Sequence, residues 1–288
     1  MTADIRLPKL KDPWMVAAFE GWNDAAEAAS LVVDHLIESW DAQVLTELDA
    51  EDFYDFQVNR PHAHSDGSGA RTIVWPTPTI YVATPPGATR DVLLLRAPEP
   101  NIRWKTFCGM IVRLAGLAGV NDLVTVGALL ADSPHTRPVP LTGSASDPDI
   151  DERIGLQSSN YTGPIGITAI LNDMAAQEGI NAISLWAAVP HYVAEPPCPK
   201  ATLALLGALE DAVGVALPYG ELEELSEAWQ RGADELANSD PEIAEYVSEL
   251  ESERATSELP EASGDAIARE FERYLRRRDN NPGNTSGA

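Results

Sequence analysis

The sequence predicts an α/β protein: a mixed, mainly parallel sheet flanked by helices, with a hairpin insertion and a C-terminal helical subdomain. Three observations predict it. Short continuous apolar runs recur, the segments between them carry apolar residues at helical spacing, and near Tyr219 the composition changes from Val/Ile/Gly/Pro-rich to Glu/Ala/Leu-rich. Continuous runs suit strands buried on both faces, and strands alternating with helices suit parallel pairing through right-handed crossovers.

The first run is WMVAAF at residues 14–19. Gly21 follows as a turn signal, and Asn23 or Asp24 stands where a helix cap belongs. Ala25, Ala28, Ala29, Val32, Val33, Leu36, Ile37 and Trp40 then recur at intervals of three and four, one buried helical face. A strand is expected at 43–48, in keeping with βαβ alternation. Residues 92–96, 123–130 and 183–189 supply further core strands, and helices are expected from about 104, over 167–177 and over 200–213.

Between residues 60 and 84 the pattern breaks. An Asp66-Gly67-Ser68-Gly69 turn and β-branched stretches around Trp75-Pro76 read as a hairpin added to the sheet. Pro76 and Pro78 cannot donate to a ladder, so one strand should be an edge, or an arm packed on another subunit. Ile73, Val74, Trp75, Ile80 and Tyr81 would expose much apolar surface alone, so oligomerisation is expected. Residues 131–151, rich in Pro, Ser, Asp and Gly, are expected to form a long loop.

The 288 residues carry 45 acidic against 20 basic side chains, a formal charge of −25 that disfavours nucleic acid and anionic membranes. With 44% hydrophobic and 23% charged residues, the chain is an ordinary globular one with a real core. No apolar run reaches membrane-spanning length and residues 1–11 lack a signal-peptide core, so a cytoplasmic location is expected. Residues 219–278 hold 17 acidic and 7 basic side chains, which sets the boundary between a core of residues 1–218 and an acidic helical subdomain at 219–279 able to act as a lid. Helical stretches are expected at 222–236, 241–253 and 265–278, with an unstructured tail at 280–288.

Ligands of open parallel sheets gather at the carboxyl ends of the strands. Four predicted strands end in polar, individual sequences: Glu20-Gly21-Trp22-Asn23-Asp24, Glu99-Pro100-Asn101-Ile102-Arg103-Trp104, Asp132 to Pro138 with His135 and Arg137, and Pro190-His191-Tyr192. Sharing one rim, they would offer carboxylates, two guanidinium groups and two imidazoles for anion binding and proton transfer. Each also has a structural reading. Asn23 and Asp24 suit a cap, Glu99 and Arg103 suit an ion pair at a helix start, His135 and Arg137 suit turn chemistry, and His191 with Tyr192 suits a strand end. The proton-transfer candidates are Glu20, Glu99, His135 and His191. The ligand-contact candidates are Trp22, Asn23, Asp24, Asn101, Arg103, Asp132, Arg137 and Tyr192.

His62 and His64 lack a third ligand at metal spacing and read as a solvated hairpin turn. Cys108 sits in an apolar helical pattern, and Cys198 lies among prolines without an activating base. No Gly-x-Gly-x-x-Gly, Walker loop, Gly-x-Ser-x-Gly or His-Glu-x-x-His occurs, and no cofactor or metal is expected.

Several segments together resemble a known family. They are Phe19-Glu20-Gly21-Trp22-Asn23-Asp24-Ala25, Glu99-Pro100 with Arg103-Trp104, Gly127-Ala128-Leu129 leading to Pro134-His135-Thr136-Arg137-Pro138, Tyr161-x-Gly163-Pro164-x-Gly166-Ile167, and Trp186-Ala187-x-Val189-Pro190-His191-Tyr192. The chain resembles the proteasome assembly chaperone 2 (PAC2) family, in its actinobacterial branch, over about residues 12 to 250. The resemblance implies a phosphorylase/hydrolase-like core similar to purine nucleoside phosphorylases, a hairpin used in oligomer contacts and a helical piece over the crevice. It also implies work in protein complex assembly. Some relatives dock on the proteasome through a C-terminal hydrophobic-Tyr-x motif, whereas this chain ends Asn284-Thr285-Ser286-Gly287-Ala288, which argues against docking by the tail.

Two functional classes follow. One is a non-catalytic assembly protein, a homotrimer acting through its hairpin face or acidic helices on a protein partner. The other is a small-molecule binder or enzyme in which Arg103 and Arg137 hold an anionic nucleoside or phosphate compound.

Overall fold

In the computed structural model, which describes residues 7–65, 67, 69–158 and 162–257, seven strands form one sheet with helices on both faces. In chain order the elements are β1 (Trp14–Glu20), α1 (Ala28–Ser39), β2 (Gln43–Glu47), β3 (His62–Ser65), β4 (Arg71–Val74), β5 (Thr79–Ala83), β6 (Val92–Pro98), α2 (Trp104–Ala118), β7 (Asp122–Ala131), β8 (Leu141–Ala145), α3 (Pro148–Ile154), α4 (Ile167–Gln177), β9 (Asn181–Pro190), α5 (Pro199–Val213), α6 (Leu222–Ser239) and α7 (Pro241–Ser257). The strand order is β2-β5-β6-β1-β7-β9-β8.

The four central strands, β6, β1, β7 and β9, run parallel. Residues 14–19 of β1 are wholly buried, as a continuous apolar run requires. Their side chains alternate between two cores: Trp14, Val16 and Ala18 pack with α1 and α5, and Met15, Ala17 and Phe19 pack with α2 and α4. Phe107 of α2 meets Phe19 and Phe53 edge to face, at ring centroid distances of 6.0 and 5.2 Å.

The outer strands correct the sequence reading in three places. β2 does not continue the parallel alternation but pairs antiparallel with β5. The hairpin is not added to the sheet: β3 and β4 form a separate two-stranded ribbon, and only β5, after Pro76 and Pro78, joins the main sheet. A proline pair lacks two ladder donors, so the chain leaves one sheet before it enters the other. His62 and His64 therefore lie on exposed β3 and not in the turn. The loop expected at 131–151 contains β8, antiparallel to β9, and the first residues of α3, which Asp147 caps by accepting from the amides of Asp149 and Ile150.

Helices α6 and α7 follow α5, and α6 packs against it, burying Leu222, Ala233 and Ala237. Val247 and Leu250 of α7 are buried as well. The helix expected at 265–278 and the tail at 280–288 lie outside the described residues. Among the described residues no helix is long and apolar enough to cross a membrane.

Candidate functional site

Because β6, β1, β7 and β9 are parallel, the four polar segments all leave the sheet at the same end. The rim resolves into two separate side-chain clusters.

The first cluster lies between β1, β6 and the start of α4. Asn23 is fully buried, and its Nδ2 donates to Glu99 Oε1 at 2.8 Å. The same Glu99 oxygen accepts the amide of Ile167 at 2.9 Å, so a carboxylate from the β6 loop stands at the N-terminus of α4. Thr168 Oγ1 donates to Asn23 Oδ1 at 3.4 Å. A Cβ on Gly166 would fall 2.0 Å from that oxygen, so only glycine lets the chain pass. Asp24 caps the following helix, its Oδ1 accepting from Ala29 and Ser30 at 2.8 and 3.0 Å. Burial pushes the Asp24 carboxyl above the ordinary aspartate range, against the opposing pull of its bonds to Ser30 and Ala29. The chain enters α1 through left-handed backbone at Ala26 and Glu27, so Asp24 spans a kink and not a simple first turn.

The second cluster lies beyond β7 and β9, under α6 and α7. His135 is 2% exposed. Its Nδ1 and its own backbone amide both lie 2.7 Å from the Tyr192 hydroxyl, and its Nε2 lies 3.1 Å from Asp234 Oδ1 on α6. A neutral imidazole satisfies every group: Nε2–H donates to Asp234, the Tyr192 hydroxyl donates to Nδ1, and the hydroxyl oxygen accepts the backbone N–H. Burial raises the Tyr192 phenol above its usual value. Lys200 of α5 donates to the His135 carbonyl and to Gln230 of α6, and burial lowers its ammonium from the usual lysine range. Asp132 bonds His191 Nδ1 at 3.2 Å and accepts from Tyr246 of α7 at 2.9 Å, while Thr136 donates to Glu251. His191, Tyr192 and Tyr246 stack edge to face at centroid distances of 5.3 to 5.9 Å.

The remaining candidates spread along the rim. Glu20 pairs with Arg96 at 2.7 Å. Asn101 accepts the Asp55 amide at 2.8 Å. Arg103 pairs with Asp52 at 2.6 Å and lies over the Phe53 ring, while Arg137 lines a narrow cleft with Lys200, Cys198 and Trp229. The two arginines expected to share an anion thus belong to different neighbourhoods. Trp22 is 64% exposed. Burial pushes the Cys108 thiol up to about 12 and raises that of Cys198, so neither is a thiolate at neutral pH. Among the described residues no group of three or more His, Cys, Asp or Glu side chains is placed to hold a metal ion.

Sequence reasoning missed Asp234, Gln230, Tyr246 and Glu251, which close the second cluster from α6 and α7. Acidic residues fill that stretch, and nothing local distinguishes those that turn inward.

A family model described as the PAC2 family matches residues 18–237, a span that holds the rim segments, the arm and the first helix. The chain belongs to the PAC2 family. Among solved structures, a PAC2 family protein from Streptomyces avermitilis is 53% identical with a TM-score of 0.76, covering 82% of this chain and 100% of its own. A Mycobacterium tuberculosis proteasome-assembly chaperone homologue is 46% identical with a TM-score of 0.75, covering 81% and 99%. Both come from actinobacteria. A Pyrococcus furiosus archaeal proteasome activator, at 15% identity, shares the fold with a TM-score of 0.63, covering 81% and 96%. No curated protein matches the sequence.

Proposed function

We propose that this PAC2 family member is a chaperone-like protein that works by protein–protein contact in complex assembly, as a homotrimer built through its β3–β4 arm. The observation that carries this reading is the arm itself. It is a two-stranded ribbon apart from the main sheet, and Ile73, Val74 and Trp75 on it are 55%, 49% and 47% exposed. Isolated hairpins are marginal in water, and contiguous exposed apolar surface marks contact sites. The 46% identical proteasome-assembly chaperone homologue supports a protein as the partner. The side chains at the rim support the same reading: Glu99 and both ring nitrogens of His135 are engaged within the chain, so each serves packing before chemistry. In this reading residues 219–257, the described part of the subdomain, are latched over the rim by Asp234, Tyr246 and Glu251.

The test is affinity capture from the native cytoplasm with the wild-type chain and with Ile73→Asp/Trp75→Glu. Recovery of a stoichiometric protein partner that the arm variant loses is expected. Absence of any stoichiometric partner for the wild type contradicts the reading.

A further inference from the structure

A second feature of the arm points to a small molecule. Beneath it lies a cavity of about 470 Å³, bounded by the arm, β5 and the carboxyl end of β6. That volume falls in the range of roughly 300–1,000 Å³ typical of ligand sites. His62 and Val74, paired across the ribbon, both line it, so one face of the ribbon looks into the cavity. By strand alternation, Ala63 and Ile73 look the other way. Ile73 therefore faces away from the cavity, whereas Val74 and Trp75 line it.

The chemistry of the walls is specific. Arg60, Arg96 and His62 line it, with Trp75 and Tyr81 supplying ring surfaces. Arg60 and the His62 side chain have no ion pair or hydrogen bond among the described residues. Arg96 is fixed by Asp34 on its Nε at 2.8 Å and by Glu20 on its Nη1 at 2.7 Å, which leaves Nη2 without a partner among the described residues. A guanidinium held in place by two carboxylates is preorganised to donate its remaining N–H groups. Glu20 also lines the cavity but is bound to Arg96, so Arg60 is the lining cation without a carboxylate partner among the described residues. Trp75 packs on Phe56 with ring centroids 4.8 Å apart, so it is braced as a platform for a flat ring.

We propose that this cavity binds a small anion bearing a planar ring, with Arg60 and Arg96 on the anionic group and Trp75 against the ring. The inference goes beyond the assembly reading, with which it shares Trp75. Two sources share that chemistry, a nucleoside monophosphate and an aromatic carboxylate.

Isothermal titration calorimetry of the full-length chain with adenosine 5′-monophosphate, 4-hydroxybenzoate and inorganic phosphate tests it. At least one ring-bearing probe is expected to bind more tightly than phosphate, and which one does identifies the source. Arg60→Ala should weaken that probe roughly tenfold, the loss of one charge-assisted contact. Trp75→Ala should weaken the same probe and leave phosphate unchanged. Arg231→Ala, on exposed α6, should change nothing. Because Arg60 is exposed and unpaired, its variant keeps the fold. The proposal is overturned if neither ring-bearing probe binds better than phosphate, or if Arg60→Ala and Arg231→Ala weaken binding equally.

Discussion

Nε2 of His135 and Oδ1 of Asp234, 99 residues apart in sequence, lie 3.1 Å from each other and join the β7 rim to α6. His135 is buried, so its N–H has no water to turn to if the carboxylate leaves. Gln230 donates to the same oxygen at 3.0 Å, and Lys200 in turn binds Gln230, so the aspartate anchors a chain of polar contacts. Asp234→Ala should cost about 1–3 kcal/mol, the penalty for orphaning a buried donor. Hydrogen exchange should rise across α6 and α7 while the central strands keep their protection, because β6, β1, β7 and β9 pack through other residues. Asp234→Asn, which keeps an acceptor, should restore most of the protection. Unchanged exchange in α6 for the alanine variant would contradict the latch.

Glu99 is expected to serve the fold at the start of α4. Its single oxygen satisfies Asn23 and the Ile167 amide, so Glu99→Ala should lower stability by about 1.5–3 kcal/mol, the value of hydrogen bonds to a charged group. Glu99→Gln should cost less, since an amide oxygen still accepts. Gly166→Ala should destabilise by about 1–3 kcal/mol through overpacking against Asn23. Urea midpoints compared at constant slope check all three.

Asp24 gives a pH dependence of fixed sign. Its folded-state pKa is raised by burial above the unfolded value. Between the two values the folded chain holds a proton that the unfolded chain has released, so stability falls as pH rises through that window and stays at the lower level above it. Asp24→Asn keeps Oδ1 as acceptor for Ala29 and Ser30 without the buried charge. Its stability relative to wild type should therefore grow as pH rises through the unfolded-state value and level off above the raised folded-state value. Asp24→Ala loses the cap at every pH, about 1 kcal/mol. Denaturation across a pH series separates the two, and a constant difference for the asparagine variant would show that burial does not govern the carboxyl.

The central sheet was legible because burial on both faces writes itself into consecutive residues. WMVAAF and LVTVGALL have few polar positions, and Ile167–Gln177 shows its helix by spacing alone. β8 was hidden because an edge strand needs little apolar content: LTGSA has one large hydrophobic residue, and its pairing with β9 comes from geometry far along the chain. The parallel reading of β2 failed for a related reason, since nothing local in QVLTE records the direction of β5 beside it. At the rim, the residue types were visible and their partners were not. Asn23 and Glu99 are 76 positions apart, and Asp234 is one acidic residue among many on its helix. Spacing reveals elements, whereas the choice between an open ligand group and an internally bonded one is made by tertiary contacts.

The arm's role as a contact surface is tested most directly by solution mass. Static light scattering of the purified full-length chain should give three times the monomer mass, and Ile73→Asp/Trp75→Glu should give the monomer mass with an unchanged circular dichroism spectrum. A wild-type chain that runs as a monomer at micromolar concentration would contradict the central claim.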